Sequence, residues 1–105
     1  MKNSISNQDF KQILFTTKSL HIRDLFFYYR NNINAGISFI VNRKKGNAVA
    51  RNLFKRRCRS IFNNYKNNRL KNMQIIIKPI KNLKNNYTWE ELNQSFEDFS
   101  CKLEA

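Results

Sequence analysis

The chain has 105 residues, of which 41% are hydrophobic and 13% aromatic, and its formal net charge is +13. This apolar content exceeds that of a disordered basic tail, and two glycines and one proline exclude collagen-like and linker-type chains. No apolar run reaches the roughly 20 residues of a membrane span, and the N-terminus lacks the apolar core of a secretory signal. We expect one domain over residues 1–105 in a cytoplasmic protein without membrane association.

The positive charge is concentrated in the middle of the chain. Residues 25–89 contain fifteen Lys and Arg and no Asp or Glu. Soluble proteins usually intersperse both signs, because like charges repel one another in the folded state. A segment of this length that carries only positive charges predicts a polyanionic partner such as a nucleic acid. A basic face that is merely solvated is the alternative.

The first third of the chain predicts one helix and two strands. Ser6 and Asp9 suit the start of a helix over residues 7–15. The aromatic-rich residues 23–30 predict a strand, and a second strand is predicted over residues 35–42 after a polar turn. Residues 17–22 would accommodate one further short strand.

A long helix is predicted from its cap, Asn47, to about Asn68. At 100° per residue, one narrow arc of this helix is apolar and predicts the buried stripe: Ala50, Phe54, Cys58, Ile61 and Tyr65. A separate arc is polar and mostly cationic: Arg51, Asn52, Lys55, Arg56 and Arg59. Arg57 lies close to the apolar arc, so its stem should lie flat while its charged end reaches water.

The last third predicts a strand and a final helix. Residues 73–80 read as a buried strand, followed by a polar connection over residues 81–87. Thr88 and Glu91 form a capping box for the last helix, whose apolar face includes Leu92 and Phe96. The unit of strand, long helix and strand suggests a parallel crossover, which would be right-handed by default.

The residues offer no independent catalytic apparatus. His21 is the only histidine and has no partner at metal-ligand spacing, so a structural or surface role is favoured. Cys58 lies on the buried stripe, and Cys58 and Cys101 are too far apart to match a metal-binding motif. We expect neither a catalytic residue nor a metal site in the polypeptide.

Residues 43–56 closely resemble the signature of the bacterial ribonuclease P protein component. The matching parts are Gly-Asn-Ala-Val at 46–49, Arg-Asn at 51–52 and a basic pair at 55–56, preceded by two basic residues. Residues 7–10, the aromatic strand and the triple isoleucine at 75–77 also stand where the family has its flanking elements. The chain departs from the family pattern at Leu53, Lys45 and Leu14, and charge at Arg57 and Lys45 would compensate for the arginine missing at position 53.

This resemblance implies a fold and a function. The fold would be a two-layer α/β sandwich with a four-stranded mixed sheet and three helices, in the order α-β-β-β-α-β-α. It would be similar to ribosomal-protein domains and have a left-handed crossover, contrary to the default. The protein would be a subunit of an endoribonuclease ribonucleoprotein that frees the 5′ end of tRNA. Hydrolysis would reside in the catalytic RNA with its bound Mg²⁺.

The partners implied are the catalytic RNA and precursor tRNA, with no protein partner. The basic loop and the long helix would bind RNA through Arg43, Lys44, Lys45, Asn47, Arg51, Asn52, Lys55, Arg56 and Arg59. A groove beside the first helix would bind the 5′ leader through Phe10, Leu14 and Tyr28. Asn47 is expected mainly to cap the helix.

Three other functions fit parts of the pattern. A ribosomal or other structural RNA-binding protein of similar fold would share the composition but not the motif at residues 46–56. A DNA-binding module would insert the basic helix into a major groove and show base preference. A self-sufficient nuclease would cut precursor tRNA without an RNA subunit.

Overall fold

The structure, a computed structural model, describes residues 5–15, 18–84 and 86–104. Its helices and strands follow the order that the family resemblance implies. In chain order they are α1 (Asn7–Phe15), β1 (Ser19–Ile22), β2 (Leu25–Asn31), β3 (Gly36–Phe39), α2 (Ala48–Tyr65), β4 (Met73–Pro79) and α3 (Trp89–Glu104).

The four strands form one mixed sheet in the order β1-β2-β4-β3. β2 pairs with both β1 and β4 in antiparallel fashion, whereas β3 pairs with β4 in parallel. The two parallel strands are neighbours joined by α2, so the predicted parallel crossover is confirmed. The hand of this crossover stays a prediction.

β4 is central in the sheet and is buried on both faces. Ile75, Ile76 and Ile77 are each fully buried. Because successive side chains of a strand point to opposite faces, Ile75 and Ile77 face the main core while Ile76 faces the side of α1. Burial on both faces explains why this strand reads as a continuous apolar run rather than as an alternating pattern.

The main core lies between the sheet and the helices α2 and α3. Phe27 of β2 stacks on Phe99 of α3 with ring centroids 4.3 Å apart, and it meets Phe96 edge-on at 5.5 Å. Cys58 is fully buried here, and burial raises the pKa of its thiol, which keeps it unreactive. The prediction that Cys58 is a core residue is confirmed.

α1 lies on the opposite face of the sheet and is held by a polar cluster. Ser6 caps the helix by accepting a hydrogen bond from the Asp9 amide at 3.2 Å. Asp9 accepts from Arg30 of β2 and from Gln74 of β4, both at 3.0 Å. Ile13, one turn further on, is fully buried. The first turn of α1 is therefore fixed over one end of β2 and β4.

The structure revises several predicted boundaries. The strand predicted over 23–30 begins at Leu25, because Arg23 and Asp24 form the two-residue turn of a hairpin with β1. Arg23 has a φ of 54°, a conformation that Gly or Asn usually adopts, so this turn could not be recognised from its residue types. β3 ends at Phe39 and α2 at Tyr65, both earlier than predicted.

Candidate nucleic-acid interface

The long helix begins where the sequence predicted. The side chain of Asn47 accepts a hydrogen bond from the amide of Ala50 at 2.8 Å, and the Asn47 carbonyl accepts from Arg51 at 2.9 Å. Asn47 is thus the N-cap of α2, as expected. The cap fixes the angle at which the preceding basic loop enters the helix.

The basic loop, residues 43–46, has a defined shape. Its first three residues form a single 3-10 turn, and the side chain of Asn42 accepts from the Lys44 amide at 2.8 Å. Gly46 permits a close approach, because a Cβ at this position would lie 3.2 Å from Ala50 Cβ and 3.3 Å from Leu83 Cβ. Arg43 and Lys44 remain exposed on this turn.

Lys45 differs from the other two cations of the basic loop. Its ammonium group donates to the carbonyl of Ile80, and its own carbonyl accepts from the Leu83 amide at 2.7 Å. The side chain is half-buried. Its charge therefore serves first to fasten the basic loop to residues 80–83, although the ammonium keeps two further hydrogen-bond donors.

The cationic face of α2, defined by Arg51, Lys55, Arg56 and Arg59, carries no compensating acid. In the described ranges, no carboxylate lies within ion-pair distance of these four side chains. Arg51, Lys55 and Arg59 follow one another at steps of four and are half-buried, whereas Arg56 and Asn52 are exposed. The Arg59 guanidinium lies 5.4 Å from the ring centroid of Phe39, which orients it beside the edge strand β3.

The opposite flank of α2 is built differently. Arg57 donates to the carbonyl of Tyr87 at 3.1 Å and is half-buried, so part of its charged end is bound within the protein. Leu53 lies on this flank beside a small cavity shared with Arg57, Leu83 and Tyr87. Arg57 and Lys45 both donate to backbone carbonyls but keep their charge, so the prediction that they compensate for the missing arginine stays a prediction.

Leu83 and Tyr87 hold this flank in place, although the sequence suggested only a polar connection over residues 81–87. Leu83 and Tyr87 are buried. The Tyr87 hydroxyl accepts from the amides of Ile80 at 3.0 Å and Lys81 at 2.8 Å and donates to the Asp24 carbonyl at 2.6 Å. An aromatic residue isolated in a polar stretch was the one available signal of this anchoring role.

Acidic side chains are paired with cations elsewhere in the molecule. Arg23 contacts Asp98 at 3.0 Å and Arg69 contacts Glu97, both on the side of α3. Hydrogen bonds from Arg69 and from the Tyr65 hydroxyl lower the pKa of Glu97, and those from Gln94 and Arg23 lower the pKa of Asp98.

The three predicted groove residues lie on the α1 side of the sheet. Phe10 is half-buried and Leu14 is 41% exposed, both on α1. Tyr28 of β2 is half-buried and is directly opposite the buried Ile76 of β4. All three residues therefore lie on one side of the sheet, and α2 lies on the other side.

A family model described as Ribonuclease P matches residues 4–104 of this chain. The chain belongs to the ribonuclease P protein family. A ribonuclease P protein component of Macrococcus caseolyticus is 36% identical over 98 residues, which are 87% of this chain and 80% of that protein. One of Phytoplasma australiense is 35% identical over 81 residues, 75% of this chain and 70% of that protein.

Solved structures of ribonuclease P proteins have the same fold. The Thermotoga maritima protein matches with a TM-score of 0.78 and 25% identity over 94% of both chains. The Staphylococcus aureus protein matches with a TM-score of 0.75 and 28% identity, covering 93% of this chain and 91% of that one. The predicted fold class and the predicted role as a ribonuclease P protein component in tRNA processing are confirmed.

Within the family signature, the structure assigns different surroundings to neighbouring residues. Asn47 caps α2, Arg51 and Asn52 lie on its cationic side, and the exposed Leu53 lies on the flank beside Leu83 and Tyr87. Among the residues described, no three His, Cys, Asp or Glu side chains gather into a possible metal site. No helix in the described ranges is both long and apolar enough to cross a membrane.

Proposed function

We propose that this protein binds the catalytic RNA of ribonuclease P through the cationic face of α2 and the basic loop. The observation that carries the proposal is that, within the part of the chain that the structure describes, these cations have no carboxylate partners, although arginines are paired with acids elsewhere. Arginine forks suit bidentate contacts with phosphate oxygens. We therefore keep the predicted set of residues as the proposed RNA-binding surface. Within this set, Lys45 and Asn47 contribute more to the shape of the basic loop than to contacts with RNA.

The energetic basis of this binding is electrostatic. Each phosphate that a Lys or Arg neutralises releases counterions, so affinity falls as salt rises. Six contacts would give a slope of about −4 for log affinity against log salt, at roughly 0.7 per contact. Placing this charge beside RNA also reduces the repulsion between two RNA molecules and so lowers the need for Mg²⁺.

The second part of the proposal concerns the 5′ leader of precursor tRNA. Phe10, Leu14 and Tyr28 offer apolar and aromatic surface on the α1 side of the sheet. Aromatic side chains stack on unpaired bases without requiring a particular sequence. That property suits leaders that differ between precursor tRNAs.

We assign the hydrolysis itself to the RNA subunit and its bound Mg²⁺. The acids of this chain are mostly engaged in ion pairs and helix caps, and this donor set does not fit a resident divalent ion. The polypeptide then contributes binding and positioning rather than a nucleophile or a base. With RNA partners of this kind, the proposed place of action is the cytoplasm.

Reconstitution tests the proposal directly. The catalytic RNA is assayed on precursor tRNA over a series of Mg²⁺ concentrations, with and without the full chain. We expect the protein to increase cleavage most strongly at low Mg²⁺ and to bind precursor tRNA complexes better than mature tRNA complexes. Equal cleavage with and without the protein would contradict the proposal, as would cleavage by the protein alone.

A further inference from the structure

Three aromatic side chains form a row on the α1 face of the sheet, and two of them have no part in the predicted groove. His21 of β1 and Phe26 of β2 are paired across the strands, with ring centroids 4.8 Å apart. Phe26 and Tyr28 follow one another on the same face, with centroids 6.5 Å apart. The row therefore continues from the groove residue Tyr28 towards the edge strand β1.

His21 and Phe26 lie at the end of the sheet that the first turn of α1 leaves uncovered. The first turn of α1 is bonded to Arg30 and Gln74, which are opposite each other in the register. Phe26 is four residues away from Arg30 along β2, or about 13 Å at the usual rise of a strand. Burial decreases in the same direction: on β4, Gln74 and Ile76 are buried but Lys78 is exposed.

The chemistry of this uncovered end suits single-stranded RNA. Lys78 is directly opposite Phe26 in the β2–β4 register, so a cation stands beside the rings on the same face. His21 is exposed and Phe26 is half-buried, which leaves part of the ring surface open to solvent. Aromatic rings on adjacent strands of a four-stranded sheet, flanked by cations, are a recurrent platform for stacking two or three unpaired bases.

We propose that Phe26, His21 and Lys78 form an extension of the leader groove that binds the next one or two nucleotides beyond Tyr28. The inference rests on the proposed function, because it takes the 5′ leader as the occupant. Phe26 and His21 supply stacking surfaces, and Lys78 supplies the charge for a backbone phosphate. Leader length should therefore affect affinity through these three residues.

The experiment measures how tightly the complete complex of catalytic RNA and protein binds precursor tRNAs with leaders of about two and about ten nucleotides. Phe26→Ala should weaken binding of the long-leader substrate about tenfold and leave the short-leader substrate within about twofold. Phe26→Tyr keeps the ring and should bind like the wild type. Phe26→Leu keeps apolar bulk without a ring and should behave like Phe26→Ala.

Matched controls separate stacking from general damage. Trp89→Ala removes an exposed aromatic residue from α3, on the other side of the sheet, and should leave both substrates unaffected. Lys78→Gln should flatten the salt slope for the long-leader substrate by about 0.7. The thermal unfolding midpoint of each variant establishes that it is folded.

Several outcomes would overturn the extension. Equal losses for long and short leaders would do so, as would wild-type affinity in Phe26→Leu. If Phe26→Ala weakens binding of the protein to the catalytic RNA in the absence of tRNA, this face binds the catalytic RNA instead of the leader. If the wild-type complex binds precursor and mature tRNA equally, the proposed leader groove is wrong. If the wild-type complex prefers precursor tRNA and the Phe26→Ala variant keeps that preference at every leader length, only the extension is wrong.

Discussion

Arginine has two different uses on two sides of this small protein. On the side of α3, Arg23 and Arg69 are held by Asp98 and Glu97. On the cationic face of α2, Arg51 and Arg59 have no acid within reach in the described chain, and Arg59 is oriented by an aromatic ring instead. We therefore base the proposed RNA-binding surface on charge that the fold leaves without an acidic partner, rather than on charge alone.

The largest expected effect tests this contrast directly. Arg51→Ala with Lys55→Ala should weaken binding to the catalytic RNA by about 3 kcal/mol, or roughly a hundredfold, because two charge-assisted contacts are lost. The salt slope should become shallower by about 1.4. Both quantities are available from filter binding or fluorescence anisotropy across a range of salt concentrations.

The matched control removes two arginines from the paired side. Arg23→Ala with Arg69→Ala subtracts the same charge but should leave the salt slope nearly unchanged and lower stability instead. If both double variants lose RNA affinity equally, net charge governs binding and the distinction between the two sides is wrong.

The second prediction compares the α2 face with the α1 face of the sheet. Tyr28→Ala should weaken binding of precursor tRNA by about 1–3 kcal/mol, the usual contribution of one stacked base, and leave mature tRNA binding little changed. The measurement is a pair of dissociation constants for the complete complex. Equal losses for the two tRNAs would exclude a leader groove at this position.

A third prediction sharpens the comparison within α2 itself. Arg57→Ala should lower the free energy of unfolding by about 1 kcal/mol, because its hydrogen bond to the Tyr87 carbonyl is lost, and should leave the RNA salt slope unchanged. The exposed neighbour Arg56 serves as the control, since Arg56→Ala should flatten the slope by about 0.7 without a change in stability. If Arg56→Ala lowers the stability and Arg57→Ala flattens the salt slope, the roles assigned to these two residues are wrong.

The smallest expected effect concerns pH and the paired side. The pKa of Glu97 is lowered from an ordinary value of 4.5, chiefly by the hydrogen bond from Arg69. Its stabilising effect is therefore complete above that value and is lost as pH falls through the lowered pKa. Glu97→Gln should lower stability at neutral pH and show a weaker decline on acidification, as measured by denaturant unfolding at several pH values.

A double-mutant cycle with Arg69→Gln checks the origin of this effect. The coupling between Glu97 and Arg69 should be present at neutral pH and should be lost as pH falls through the lowered pKa of Glu97. Coupling that is independent of pH would show that packing, rather than charge, connects the two residues.

The features that the sequence predicted well are local ones. The caps at Asn47 and Thr88 and the buried stripe of α2 depend on spacings of three and four residues, which the sequence displays directly. The run of isoleucines at 75–77 likewise signals a strand covered on both faces. The grouping of the cationic residues on one face of α2 is also local, because a helical wheel is sufficient to predict it.

The features that the sequence did not predict depend on contacts between distant segments. Nothing near Lys45 or Arg57 indicates that they donate to carbonyls at Ile80 and Tyr87, which lie 35 and 30 residues away. The hairpin turn at Arg23 was hidden because its positive φ is carried by a residue that rarely adopts one. Which of the cations are uncompensated is therefore a property of the tertiary structure.

The attachment of the basic loop to residues 80–83 has a consequence for the order of events during synthesis. Ile80 accepts from the Lys45 ammonium and Leu83 donates to the Lys45 carbonyl. Both residues leave the ribosome well after the basic loop. Tyr87, which fixes residues 80 and 81, emerges later still. The basic loop therefore cannot reach its final shape, on which the proposed RNA-binding surface depends, before Tyr87 has been translated.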